Sequence, residues 1–286
     1  MPDLKKPTTY LEQIEILKSR NVLVEDPAWC MQVLSSVNYY RITAYLLPFK
    51  LGDGKYAYGT KFSTIYRLYE FDRKLRGVLI SALEEVETFL RTKFAYFHAH
   101  KYGAEGYMSP ENYSNSHRAE KFRENIEREI ASNERSAFVQ HHIKHYDRHF
   151  PIWVVIELFS FGMLSRFYSD MTTADQKVLA KELYRNIPKN ISSWLRCCTD
   201  LRNICAHYGR LYYRIFSATP ANIAKGQAQS RQLWGAVSAL QALYPDASKW
   251  NSEILPHLCA IFDEYQEDID LKHIGFPKDW KNQLKK

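Results

Sequence analysis

Apolar residues along this 286-residue chain return at three- and four-residue steps, the spacing that lines one face of an α-helix. In residues 9–20 the repeat is Leu11, Ile14 and Leu17, with Thr8 or Thr9 placed to cap the first turn. Asp26-Pro27 opens a second helix, the aspartate as cap and the proline at the first helical position, where its missing N–H costs nothing. The longest repeat covers 63–100 and runs through Ile65, Leu68, Leu75, Leu79, Leu83, Val86, Leu90 and Phe94, with no proline and only Gly77 as a weak point. A helix of that length, roughly 55 Å at 1.5 Å per residue, is either a central strut or broken near Gly77. Residues 118–130 and 136–146 read as charged amphipathic helices, and 151–168 as one almost fully buried helix. A further helix, 190–207, has Asn190 as cap and Gly209 as terminator, and helices at 226–243 and 252–265 precede a polar tail. Residues 101–116 read as a loop, and 51–62, with Asp53-Gly54 and Gly59, as a turn or short hairpin. The expected fold class is all-α, with no linker dividing the chain.

Composition adds little to that picture, since 45% hydrophobic and 25% charged residues describe an ordinary core-forming chain. Charge adds more. The net charge is +7, and neither terminal region generates the excess. Between residues 185 and 214 the cations Arg185, Lys189, Arg196, Arg202, Arg210 and Arg214 face Asp200 alone. Read as a compact patch, this attracts polyanions, of which a phosphate backbone is the commonest. The first 17 residues lack the pattern of a secretory signal, and the longest apolar run is too short to cross a bilayer. Five cysteines, unevenly placed, do not form a disulfide framework. A soluble cytoplasmic protein with reduced thiols and no membrane contact is expected.

Residues 194–214, WLRCCTDLRNICAHYGRLYYR, concentrate the chemistry. Ile191, Trp194, Leu195, Cys198, Leu201, Cys205 and Tyr208 are spaced to form one apolar stripe, and Arg196, Asp200, Asn203 and His207 fall within about 60° of one another on the other side. Arg202 projects roughly 140° from His207 and needs a partner or an anion. The two share a site only if the helix loosens before Gly209 or a second surface closes over it. A histidine near neutral pKa exchanges protons with a ribose 2′-OH or a leaving 5′ oxygen, and an arginine holds the phosphate between them. Those two residue types suffice for metal-free RNA cleavage. Arg–His pairs at similar spacing also occur at Arg91/His98 and Arg135/His141, so spacing alone is weak. Asn203 directly after the arginine, the helix end and the basic surroundings single out Arg202 and His207.

The stretch LRNICAHYGRLYYR resembles the R-N-x-x-x-H motif of the HEPN superfamily, all-α domains that include many metal-independent ribonucleases of bacterial defence systems. Upstream, KKPTTYLEQIEILKSRNVLVED, NYYRITAYLLPF, IYRLYEFDRKLR, ALEEVETFLRTKFAYF and KYGAEGYMSPENY are similar in content and order to the bacterial abortive-infection (Abi) family of the AbiD/AbiF type. The likeness covers about residues 5–216. It implies a HEPN-like helical core at 63–216, N-terminal helices and a hairpin at 1–62 packed on it, and C-terminal helices of unassigned role at 217–286. It also implies phage defence, RNA as target, and Arg202, Asn203 and His207 as catalytic residues. HEPN ribonucleases commonly build their site between two such domains, so a homodimer is expected. A regulatory non-coding RNA is a further expected partner. The alternative is a non-catalytic RNA- or nucleotide-binding protein, or a structural partner of another defence protein.

Arg196, Arg210, Arg214, Arg91 and Arg41 are the expected RNA contacts, with no cofactor and no metal. Glu84, Glu87 and Arg91 share one face of the long helix, either as plain ion pairs or as a wall in which Glu87 holds an arginine or histidine of the site. Arg41, after Asn38-Tyr39-Tyr40, either stacks with a base or covers a core edge. His141, His145 and His149 are spaced to project together, but charged neighbours favour a surface helix. Cys197, Cys198 and Cys205 lack paired C-x-x-C spacing and read as buried thiols rather than zinc ligands.

Overall fold

In the computed structural model, which describes residues 6–222 and 231–286, Thr9 closes a capping box on α1 (Tyr10–Ser19): its hydroxyl accepts the Glu12 N–H and the Glu12 carboxylate accepts the Thr9 N–H. Asp26 caps α2 (Pro27–Ser36) by accepting from the N–H groups of Ala28 and Trp29. Asn38 caps the short α3 (Tyr39–Thr43), which runs on into a 3-10 turn, Ala44–Phe49. Residues 51–62 form a turn held by isolated bridges from Lys50 to Tyr56 and from Leu23 to Lys61, with Gly54 and Gly59 in the left-handed region.

Next comes the strut. α4 (Phe62–Tyr102) is a single 41-residue helix, about 60 Å long at 1.5 Å per residue. It does not break at Gly77, because Leu75, Leu79 and Leu83 are fully buried around that exposed position and packing outweighs the local weakness. After a loop with two 3-10 turns come α5 (Ala119–Ser132) and α6 (Ala137–His145).

The expected single helix at 151–168 is two. α7 (Ile152–Val155) passes into a 3-10 turn, the chain extends at Phe159, and the Ser160 hydroxyl accepts the Met163 N–H to start α8 (Phe161–Asp170). The carbonyl freed at Phe159 accepts a hydrogen bond from Arg91 at 2.7 Å, so the break has a partner. Unforeseen is α9 (Thr173–Tyr184), capped by Thr172. α10 (Pro188–Ala206) starts with its proline in the first turn; Asn190 is not its cap but is buried one turn in, bonded to Asn186.

α11 (Leu233–Leu243) is shorter than the expected 226–243, of which 226–230 lie outside the described residues. α12 (Ala247–Lys249), a π-turn and α13 (Leu255–Glu264) follow as one nearly continuous rod. Beyond it the polar tail is a packed strap containing α14 (Leu271–Ile274) and α15 (Trp280–Gln283), with Ile274, Phe276, Trp280 and Leu284 buried. The sequence there is mostly polar, but those apolar residues are spaced to face the bundle. One hydrophobic core runs from Ile14 to Leu284. α4 lies at its centre, touching α3, α7, α8, α10, α11 and α13, while α10 is packed by α4, α8, α9 and α11. The fold is an all-α bundle, and no sheet forms among the described residues.

The Trp280 ring packs with its centroid 4.4 Å from that of Phe262, tilted, and 5.6 Å from that of Phe276, edge-on. Trp280→Ala is expected to cost about 3–5 kcal/mol, as for other buried aromatic truncations, measured by urea denaturation; a loss below about 1 kcal/mol would place the strap outside the cooperative fold.

Candidate functional site

α10 keeps a regular last turn. The His207 N–H still bonds to the Asn203 carbonyl at 3.0 Å, and the chain turns only at Tyr208, which takes the left-handed conformation at φ 55°. Gly209, expected to supply that conformation, instead permits a close approach. Its N–H bonds to the Ile204 carbonyl at 2.7 Å, and a Cβ there would come within 3.0 Å of Ile204 Cγ2 and 3.2 Å of its carbonyl oxygen. Because the helix does not loosen, Arg202 and His207 stay about 140° apart. Asn203 and His207 are one turn apart on the exposed face, together with Arg196, and their side chains have no partner among the described residues. Asp200, on the same stripe, instead accepts from the Ser217 hydroxyl and the Ala218 N–H.

Arg202 finds its partner on α4. Its Nε lies 3.6 Å from Glu87 Oε2, while Glu87 Oε1 accepts from Arg91 Nη2 at 2.5 Å. Arg91 also meets Glu157 at 3.5 Å and donates to the Phe159 carbonyl. One carboxylate thus faces two guanidiniums, and among the described residues the Nη groups of Arg202 have no partner. Half-buried, Arg202 pairs with Glu87 by charge, beyond hydrogen-bond distance, and its donor fork stays open on the other side. Arg91, expected to touch RNA, is a bracket inside this network.

A second clamp, which the sequence did not disclose, holds the chain immediately after His207. Asp72 is 0% exposed and accepts from the N–H groups of Leu211 and Tyr212 at 2.6 and 3.0 Å and from the Tyr45 hydroxyl at 2.9 Å. Arg76 lies 3.6 Å from that carboxylate and donates to the Gly209 carbonyl at 3.1 Å. Arg41, from α3, donates to the Tyr208 carbonyl at 2.6 Å, and Arg210 turns back to the carbonyls of Tyr212 and Tyr213. Arg76 and Glu87 lie eleven residues apart, about 20° in projection, so one face of α4 receives both Gly209 and Arg202 from an antiparallel α10. The legible signal was two charged residues, Asp72 and Arg76, spaced i, i+4 and each directly following a buried apolar position, Phe71 and Leu75.

The basic excess is not a compact patch. Arg185 and Lys189 sit at one end of α10 and Arg210 and Arg214 at the other, separated by about 28 Å of helix. Arg196 and Arg214 are exposed; Arg214 reaches only the Arg210 carbonyl, at 3.4 Å. Exposed aromatics accompany the histidine end, with Tyr208 69% and Tyr40 73% exposed. Cys197, Cys198 and Cys205 are all buried, the first because α10 is covered on several sides, and burial pushes the thiols of Cys197 and Cys205 up to about 12. His149 leaves the helix that carries His141 and His145: the chain turns through left-handed Asp147 and Arg148, and His149 meets Glu105 at 2.9 Å. Among the described residues no three His, Cys, Asp or Glu side chains converge on a metal position. His98 is buried among Tyr102, Tyr113 and Phe167, where burial depresses its pKa to about 4, so it and Arg91 do not form a second site.

Asp72→Ala removes the anion from buried Arg76 and the acceptor from two N–H groups, and is expected to cost about 3–5 kcal/mol by chemical denaturation. Burial pushes the Asp72 carboxyl up to about 6 against the pull of its hydrogen bonds. The folded state therefore binds this proton more tightly than the unfolded chain, whose carboxyl titrates near the ordinary 3.8. The associated stability is full below about pH 4 and is lost as pH rises to about 6. Asp72→Asn should abolish that component, and an unchanged pH slope in the variant would refute the assignment.

Among the described residues no helix is long and apolar enough to cross a membrane. No curated protein and no solved structure matches the chain. A family model for Abi-like proteins matches residues 32–213, which contain α4, α10 and both clamps. That match spans well over half of the sequence, and the chain belongs to the Abi-like protein family.

Proposed function

We propose that this protein is a metal-independent endoribonuclease of abortive-infection phage defence, with Arg202, Asn203 and His207 as its site. The observation that carries the reading is the R-N-x-x-x-H motif at the end of α10, its arginine paired with Glu87, both Nη groups unpartnered among the described residues, and its histidine exposed beside Asn203. Membership of the Abi-like family supports the defence role. His207 accepts the proton of a ribose 2′-OH, whose oxygen attacks the adjacent phosphorus in line. The bond from phosphorus to the 5′ oxygen breaks, a second acid protonates that oxygen, and the products are a 2′,3′-cyclic phosphate and a 5′-hydroxyl. Arg202 stabilises the charge that grows on the phosphate oxygens. Asn203 orients one or both of Arg202 and His207 by hydrogen bonding when RNA is bound. Exposed Arg196 and Arg214 add cationic surface for RNA, and Arg41 and Arg210 serve by holding the turn after His207.

A single chain supplies one such histidine, and it stands far round the helix from Arg202. Two copies of α10 across a two-fold axis supply two of each in one cleft, and a symmetric interface reuses one surface. A homodimer therefore completes the site. A second reading, a non-catalytic RNA-binding protein under the control of a partner RNA, is favoured by the absence, among the described residues, of any group that orients His207 within its own chain.

Purified protein incubated with mixed RNA in EDTA is expected to produce 2′,3′-cyclic phosphate ends; retention of RNA without cleavage selects the second reading. His207→Ala should abolish cleavage while changing stability by less than about 0.5 kcal/mol, because the side chain is exposed and unpartnered among the described residues. Full cleavage by the folded variant would remove the catalytic assignment. Light scattering should give a mass near twice 33.7 kDa, and mixing His207→Ala with Arg202→Ala protein should restore some activity. A strictly monomeric protein that cleaves at full rate would defeat the shared site.

A further inference from the structure

A small cavity of about 200 Å³ lies between the start of α5 and the end of α8. Arg118, Lys121, Phe122 and Asn125, at steps of three and four residues, line it from one side, and Arg166 and Asp170, one turn apart, from the other. Three cations thus face one carboxylate, and that carboxylate is already committed. Asp170 is 4% exposed, its two oxygens accept from Arg166 Nε at 2.9 and 3.1 Å, and His117 Nδ1 lies 3.0 Å from Oδ2. The His117 side chain is itself buried and its ring stacks on Tyr113 with centroids 4.0 Å apart, so the acid is held from behind. Arg166 is oriented along its Nε edge by these bonds, while its side chain stays 57% exposed and its Nη groups have no partner among the described residues. Arg118 and Lys121 are exposed and meet no carboxylate among the described residues. The Asn125 amide oxygen accepts from Arg128 at 3.1 Å, which leaves Nδ2 as a further donor.

We infer that this cavity binds a phosphomonoester group. The polar groups left uncommitted on its wall are donors, so the ligand offers acceptors. A guanidinium held at one edge and open at the other presents the planar fork that grips two oxygens of one anion. Charge then selects among anions. Three cations less one carboxylate leave two positive charges; a phosphomonoester, at about −1.5 to −2 near neutral pH, balances them, whereas a carboxylate or an internal phosphodiester balances half. Size agrees with this. The volume is below the usual range for whole small molecules, about 300–1,000 Å³, so the phosphate enters and the rest of the ligand stays outside. The same group is carried by the 5′ end of a phosphorylated RNA strand and by a free sugar phosphate. The inference goes beyond the ribonuclease reading and stands without it. The cleavage proposed above leaves cyclic-phosphate and 5′-hydroxyl ends, neither of which is a monoester, so its new ends do not fill this cavity.

The test uses the full chain carrying His207→Ala. Calorimetry measures binding of inorganic phosphate, of ribose 5-phosphate, and of one RNA tetranucleotide made with either a 5′-phosphate or a 5′-hydroxyl. Binding of the two small probes identifies a free phosphate group as sufficient; binding of the phosphorylated tetranucleotide alone identifies the strand end. In both cases the 5′-hydroxyl tetranucleotide should bind at least about tenfold more weakly than its phosphorylated twin. Arg166→Gln should weaken phosphate binding about tenfold or more, the weight of one charge-assisted contact. Arg166→Lys should not restore it, because an ammonium cannot bond Asp170 and the phosphate through opposite edges. Arg166→Gln also takes a donor from buried Asp170, so the double variant Arg118→Gln/Lys121→Gln supplies the independent check: affinity falls about tenfold or more while the melting temperature of the ligand-free protein stays the same. No binding of any probe, equal binding of the two tetranucleotides, or binding that the double variant leaves unchanged overturns the proposal. Cleavage of RNA by the unsubstituted chain reads the ribonuclease separately: a chain that cuts RNA but binds no phosphate probe loses only the cavity, and one that binds the probes but never cuts RNA loses only the ribonuclease.

Discussion

A buried carboxylate that accepts backbone N–H groups from a distant segment is the interaction on which this structure turns. Asp72 lies in the middle of the protein with no exposure, and its ionised form is tolerable only because Leu211, Tyr212, Tyr45 and Arg76 surround it with donors. The geometry is unforgiving, since removing any donor leaves a charge in a medium that does not solvate it. Segment 208–213 has no regular secondary structure to position it. It takes its shape from Asp72 and Arg76 on α4, Arg41 on α3 and its own Arg210. The chain at the exposed end of α10 is therefore tied to buried groups, although it stands at the surface.

Glu87 acts in the opposite way on Arg202. Instead of immobilising a segment, it takes up part of one cation's charge at Nε, with Arg91 bracing the far side of the carboxylate. Enzymes that stabilise a developing negative charge gain most from dipoles and charges that do not have to reorganise. A guanidinium paired at its Nε side and open at both Nη groups among the described residues has that character toward any anion it meets.

The helices were legible because the apolar spacing was dense: α1, α2 and α4 follow directly from capping residues and three- to four-residue repeats. Two kinds of feature escaped. Some helices lacked enough apolar contrast, such as α9, whose exposed Val178 blurs the stripe, and the terminal strap, whose anchors Ile274, Phe276, Trp280 and Leu284 are scattered among polar residues. Others depend on long-range polar contacts. The break before Ser160 was written locally as a cap, but it is completed by Arg91, 68 residues away, and the role of Asp72 depends on donors 139 and 140 residues away. Of the site, the motif was legible as a resemblance, and the Glu87 wall as one of two readings of a helix face, the other being plain ion pairs. The carbonyls that Arg91, Arg41 and Arg210 tether were not, since a sequence does not say which carbonyls the fold leaves unpaired.

The unbroken α4 has a consequence for how this chain can change. Arg76 and Glu87 serve α10 from one face because the eleven residues between them make almost whole turns. The helix thus works as a phase standard: substitution at exposed Gly77 leaves the standard intact, since open space surrounds it. A single inserted or deleted residue in that interval would turn one contact by about 100° relative to the other, uncoupling the arginine of the motif from the turn that follows its histidine. Length between these two points is fixed by geometry even where composition is free.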